Sequence, residues 1–327
     1  MTYNHLLMGS YTRSSTRGST NARPRERELL SVGVLRNPAV SVTSDKVVYC
    51  SEHGCTSRSS SADYPSMTLR LGFKNCTEHL DKNEVASRIS YVRQNLALDL
   101  ITVIFYDLEL SEDGQIEQVS AVAETGRDFS RFIRTSVRTN TSPLLRRFPP
   151  LFYSALASEP KPAMEDLVRW IRMQHSMNTN GDTNMDNVIL VAHYGSNHDH
   201  VYLMRTMMSW GVEPPHVRFG DSLALFKVMK GMTTRANLST LVAMYTPWIT
   251  FVPHDADSDA SALRAVVMTE FSNVRLACMV FSISHKEYMG RTTLDMHEVV
   301  SVYTFAENGT FMDPDLDELT DSVANSE

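Results

Sequence analysis

Four cysteines in 327 residues (Cys50, Cys55, Cys76 and Cys278) are too few for a disulfide scaffold. Long apolar runs are also missing. No stretch approaches the roughly 18 consecutive apolar residues that a membrane span needs, and no charged start followed by an apolar stretch reads as a signal peptide. The expectation is a soluble, intracellular protein, cytoplasmic or nuclear and not secreted. Without a secretory route, the sequons at Asn75, Asn140, Asn237 and Asn308 carry no weight. A third lack is local: from Glu307 to Glu327 there are seven acidic residues and no Lys or Arg. The net charge of −7 therefore belongs to this tail, and the remaining chain is neutral. An acidic total is then no argument against a polyanionic partner.

What is present is a 42% apolar composition, enough for a core, in a length that fits one sizeable domain with extensions. The N-terminal stretch "GSYTRSSTRGSTNARPRER" is rich in Ser, Thr and Arg and reads as disordered. Residues 1–95 as a whole read as a partly disordered extension, with short β-branched runs among serines between 30 and 95. Within it, Cys50, His53, Cys55, Cys76 and His79 are of the types that hold zinc, although their spacing matches no common finger.

From residue 98 the pattern sharpens. "LITVIFYDLEL" is a buried strand in composition, and "GQIEQVSAVAE" returns after the turn "SEDG", which makes a hairpin; "DFSRFIRTSV" supplies a third strand. "AMEDLVRWIRMQHSM" has Met164, Leu167, Val168 and Ile171 at helical spacing. "NVILVAHYG" then reads as a central strand followed by the helix "HDHVYLMRTMMSWG". "HVRFGDSLALFKVM" reads as another strand and helix, and "DASALRAVVMTEFSNV" as the last clear helix. Three strands joined by short turns, then strand–helix alternation, predict an α/β domain with a mixed central sheet flanked by helices. The expected domain spans 96–306, followed by an acidic, disordered tail at 307–327.

Carboxylates stand at three strand ends or helix starts. Asp107 and Glu109 are two apart on a strand, so they share a face while Leu108 points into the opposite layer. Two neighbouring carboxylates at the end of an apolar run repel and lose hydration, which is costly without a cation; solvation at the onset of "SEDG" is the plainer alternative. Asp199 falls in the first turn of a helix, where an acid also caps. In "VPHDADSDASAL" (252–263), Asp255 caps a helix start and Asp257 suits its dipole. Neither role needs His254, and Asp259 lies too deep to cap. Three acid-bearing positions of this kind suit a site for hard divalent cations at strand ends.

Taken together, "FYDLEL" (105–110), "LVAHYGSNHDHVYL" (190–203) and "HDADSDASAL" (254–263) resemble the three motifs of the DEDDh 3′–5′ exonuclease family, the DnaQ-like and TREX-like enzymes. Asp107 and Glu109 match D-x-E. Asp199 matches the acid of the second motif, with Ala192, His193, Gly195 and Leu203 in register. His254 and Asp259 match H-x-x-x-x-D. "IEQVSAV" and "DSLALFK" resemble the family's intervening segments, and the likeness covers about residues 98 to 270. Tyr194 and His198 depart from the usual Asn and Phe.

The resemblance implies an RNase H-like exonuclease fold and a two-metal mechanism. Asp107, Glu109, Asp199 and Asp259 would hold two Mg²⁺ or Mn²⁺ ions, with Asp107 bridging, and His254 would be the general base. It also implies that Tyr194, His198 and Leu108 face a single-stranded or frayed 3′ end of DNA or RNA. Tyr106, Tyr194 and Phe105 are aromatic candidates for stacking on the terminal base, with core packing favoured for Phe105. Two rivals remain. One is an HD-type phosphohydrolase, suggested by His198–Asp199 and His254–Asp255, although both dipeptides follow strand-like runs rather than lying in an all-helical frame. The other is a non-catalytic nucleic-acid-binding or scaffold protein that retains the fold.

Overall fold

The strand β1 (Thr102–Leu110) is β-branched and aromatic along its length, and that composition places it at the centre of the sheet. The computed structural model describes residues 48–59, 66–135, 150–232 and 236–291, all within one compact unit spanning Ala39–Glu327. The arginine-bearing stretch at 9–27, the runs "LLSVGVL" and "AVSVTS", Met296–His297 and the tail 307–327 lie outside the described residues.

Residues 111–115 turn β1 back into β2 (Ile116–Ala123), with Gly114 supplying a φ of +79° and Ser111 N donating to Gln115 O at 2.8 Å. A second turn leads to β3 (Asp128–Phe132). Both pairings are antiparallel, as the hairpin reading expects. β4 (Val188–Ala192) then joins β1 in parallel, and β5 (Arg218–Asp221) joins β4 in parallel. β6 (Ser282–Ser284) closes the edge antiparallel to β5, giving the order β3-β2-β1-β4-β5-β6. This is the mixed central sheet of the expected α/β domain.

Ten helices occur among the described residues. α1 (Met67–Arg70) and α2 (Lys82–Asn95) precede the sheet, and α3 (Pro150–Leu156) and α4 (Pro160–Asn178) link β3 to β4. α5 (Asp199–Ser209) follows β4, and α6 (Ser222–Met229) and α7 (Leu238–Tyr245) follow β5. α8 (Ala256–Glu270), α9 (Val274–Val280) and α10 (His285–Arg291) complete the set. Met164, Leu167, Val168 and Ile171 of α4 are all buried, as their spacing requires. None of these helices is long and apolar enough to cross a membrane.

Two differences from the sequence reading stand out. The helix expected over "DASALRAVVMTEFSNV" ends at Glu270, and Asn273 caps a new helix, α9, by accepting from Leu276 N at 2.9 Å. α2 packs on α9 and contributes Val85 and Val92 to the main core, although it precedes the expected boundary at residue 96.

The registers explain where a site can form. Phe105 of β1 pairs with Val191, one residue before β4 ends, so Asp107 and Glu109 project beyond the C-terminal end of β4. Loops from several elements converge at such parallel-strand ends.

Candidate metal centre

Asp107 and Glu109 share a face of β1, and their antiparallel partners on β2 are Ser120 and Gln118. Those two partners anchor the start of α8. Gln118 Oε1 accepts from Ala256 N at 3.2 Å, and Gln118 Nε2 donates to Asp255 Oδ1 at 3.3 Å. Ser120 donates to Asp257. Asp255 also caps α8 by accepting from Asp257 N at 3.2 Å. One turn into the helix, Asp259 is thereby brought over β1, and its Oδ2 accepts from Asp255 N at 3.2 Å. Carboxylate oxygens of Asp107, Glu109 and Asp259 lie within 4.8 Å of one another, with Glu109 and Asp259 buried.

Asp199 reaches the same place from α5. It is 3% exposed, and its Oδ1 accepts from Leu108 N at 3.2 Å, the amide of the residue between Asp107 and Glu109. Burial, and then the charges of Asp199, Asp259 and Glu109, hold the Asp107 carboxyl well above the usual carboxylate range. So many carboxylates at one strand end form a donor set of hard oxygens, which fits Mg²⁺ or Mn²⁺.

The loop before Asp199 is held by a residue whose importance the sequence reading missed. Asp221 sits at the end of β5, 1% exposed, and caps α6 through Leu223 N and Ala224 N. The same carboxylate accepts from Tyr194 N at 3.2 Å, Ser196 N at 3.0 Å and Ser196 Oγ at 2.6 Å. From the other side, Arg70 Nη1 donates to Ser196 O at 2.8 Å and Tyr288 OH donates to the same oxygen at 3.1 Å. The signal available in sequence was the Asp-Ser-Leu opening of α6, which reads as a cap but says nothing of the loop that it binds.

Gly195 is needed for close approach. A Cβ there would meet Ala192 Cβ at 2.7 Å and the His200 ring at 2.8 Å. His200 cannot retreat. Its Nδ1 accepts from Tyr106 OH at 2.6 Å and its Nε2 donates to Gly220 O at 2.9 Å, an arrangement that suits the neutral ring favoured by its burial. This pairing also corrects the expectation that Tyr106 could stack on a base, while Phe105 packs in the core as favoured. Tyr106 and Phe105 are both fully buried, Tyr106 with its hydroxyl committed to His200, so neither ring can reach a terminal base.

The remaining site candidates lie at the loops. Tyr194 is half-buried against the core and takes a left-handed φ of +67°. His198 is half-buried, 3.6 Å from Asp199 through Nδ1, with its ring against Tyr202. Leu108 is 5% exposed and meets Asp199 through its backbone. His254 is exposed on the loop before α8 and has a φ of +61°. Among the described non-glycine residues with positive φ, two of three stand five positions before a candidate ligand: Tyr194 before Asp199 and His254 before Asp259. Such conformations cost on the order of 1–3 kcal/mol and persist where the surroundings impose them.

No protein-family model matches the chain, and no curated protein matches it either. Solved structures match in part. An exonuclease I structure described as suggesting how processivity is achieved has 13% identity over 51% of this chain and 40% of its own, with a TM-score of 0.40. Exonuclease I from Methylocaldum szegediense has 11% identity over 54% of this chain and 40% of its own, with a TM-score of 0.39. E. coli exonuclease I in complex with a dT13 oligonucleotide has 12% identity over 50% of this chain and 40% of its own, with a TM-score of 0.40. The matched region thus spans about 40% of the length of these proteins.

Proposed function

We propose that the protein is a metal-dependent exonuclease that hydrolyses phosphodiester bonds at the 3′ end of single-stranded or frayed DNA or RNA. The observation that carries this reading is the convergence of Asp107, Glu109 and Asp259 within 4.8 Å, with Asp199 bonded to the same strand. These four carboxylates would hold Mg²⁺ or Mn²⁺. When bound, two such ions supply an activated water and a charge clamp on the scissile phosphate.

The chain's own residues do the rest. His254, exposed on its left-handed loop, accepts the proton of the attacking water at an imidazole nitrogen and passes it to solvent. Asp255 and Asp257 keep the start of α8 in register through Gln118 and Ser120, which fixes Asp259 relative to Asp107. Tyr194 and His198 form the substrate side, with Tyr194 the remaining ring for stacking on a terminal base, while the Leu108 side chain packs in the core and only its backbone meets the site. The compartment in which it works is cytoplasmic or nuclear, and 96–306 contains the whole catalytic set.

The test uses single-stranded DNA and RNA oligonucleotides labelled at either end. The expected result is shortening from the 3′ end with release of mononucleotides, in Mg²⁺ or Mn²⁺ only. Activity that survives EDTA, or products of 5′-end polarity, would sink the reading.

A further inference from the structure

Away from the carboxylates, the segment 48–59 carries little apolar surface with which to hold its place. It forms a short antiparallel turn, with Tyr49 bridged to Arg58, Cys50 N donating to Ser57 O at 2.9 Å and Ser59 N donating to Val48 O at 2.7 Å. It meets the following segment in a small cluster of Cys50, Leu69 and Cys76, with Cys55 packed against it. The following segment is itself held in the main core by Met67, Leu71 and Phe73, but a group this small supplies little burial to hold 48–59 against it. Yet three cysteines and a histidine from the two segments point at one another. The Sγ atoms of Cys50, Cys55 and Cys76 and a ring nitrogen of His79 all lie within 4.8 Å.

The spacing within the cluster is that of a coordination shell. Cys55 Sγ and Cys76 Sγ are 3.8 Å apart, far beyond a disulfide, and all the cysteines are free. Nδ1 of His79 is 3.1 Å from Cys76 Sγ and 3.8 Å from Cys50 Sγ. Zinc–sulfur bonds of about 2.3 Å in a tetrahedron set neighbouring sulfurs about 3.8 Å apart, and the zinc–nitrogen bond is somewhat shorter. The Cys76 amide, which donates to Cys50 Sγ at 3.4 Å, would offset charge on a thiolate. His79 sits at the end of a single 3₁₀ turn, Thr77–His79, that sets its ring back toward Cys76. His53, grouped with these residues in the sequence, is exposed and stands outside the cluster.

We propose that Cys50, Cys55, Cys76 and His79 form a structural zinc site that clamps segment 48–59 to segment 66–79. Three thiolates and an imidazole are soft ligands in a closed set of four, which selects zinc and leaves no position open for a substrate. The clamp has a reach beyond itself. Arg70, in the second of the two segments, donates to Ser59 O at 2.6 Å and to Ser196 O at 2.8 Å, so the lobe abuts the loop that carries Asp199. The proposal does not depend on nuclease activity.

The full-length protein, purified with reducing agent and desalted into metal-free buffer, should retain one zinc per chain by elemental mass spectrometry. Cobalt(II) in its place should give the intense visible bands of tetrahedral thiolate ligation. Cys55→Ser and His79→Ala alter the two more exposed ligands and leave the buried ones in place. Each should lower zinc affinity by at least roughly 100-fold, judged by the cost of disturbing even outer partners. His79→Cys should restore binding, and His53→Ala should leave it unchanged. Protein free of zinc with four titratable thiols would overturn the proposal, as would a Cys55–Cys76 disulfide. Undiminished zinc in both Cys55→Ser and His79→Ala would overturn it as well, by assigning the metal to other residues.

Discussion

His254 and the three aspartates that follow it are neighbours in sequence with different tasks. His254→Ala leaves the carboxylates in place, so metal and substrate should still bind while kcat falls by about 10²–10⁴, the usual worth of a positioned general base. Asp259→Asn should weaken Mn²⁺ binding itself, because it removes a charge from the cluster around Asp107. Asp255→Asn should do little, since asparagine caps a helix as well as aspartate and can still meet Gln118. The measurement is kcat with a Mn²⁺ titration for all three variants. If Asp255→Asn proves as damaging as Asp259→Asn, the roles given to these side chains are exchanged.

The turn between β4 and α5 illustrates how much of an element is written locally. Gly195→Ala would press a methyl group into Ala192 and a His200 ring held at both nitrogens. The expected cost is about 1–3 kcal/mol in urea unfolding, the usual penalty for overpacking. A change below about 0.5 kcal/mol would show that the turn yields freely. The D-x-E pair was legible because side chains on a strand alternate, and Asp255 because a cap acts over two or three residues. Asp221 caps α6 within its own segment, but its hold on Tyr194 and Ser196 spans a different loop and had no local signal. Gln118 and Ser120 were opaque for the same reason, because their partners on α8 lie 137 or 138 residues away. The break between α8 and α9 was readable in principle from the pair Ser272–Asn273, since Asn273 caps α9. The gathering of cysteines depended on a fold-back of segment 66–79 onto 48–59 that no spacing rule encodes.

Across the whole molecule, protonation sets a stability limit. Burial lowers the ring pKa of His175, His193, His200 and His285. The unfolded chain therefore takes up protons first as pH falls through about 6.5, so stability is full above that value and is lost below it, toward the folded-state pKa values. His198 acts in the opposite sense: burial lowers its pKa, but the bond and charge of Asp199 outweigh it and raise it overall. Asp107, held high, also favours acid. In an Asp107→Asn background, urea unfolding between pH 7.5 and 5 should show stability falling with acid, because the unfolded chain binds more protons than the folded one. A flat or rising profile would falsify this balance. The double hold on the Ser196 carbonyl carries a different consequence, one of timing. Arg70 lies 126 residues before Ser196, and Tyr288 lies 92 residues after it. Ser59 in turn donates to the carbonyl of Arg291, 232 residues away. A ribosome that has released the chain only through α8 has delivered all four candidate metal ligands but not Tyr288, so the loop beside Asp199 is fastened from one side only. Contacts of such long sequence separation form late in folding. The carboxylate centre therefore reaches its final shape after synthesis has passed α10, once the two ends of the described chain have met across the loop.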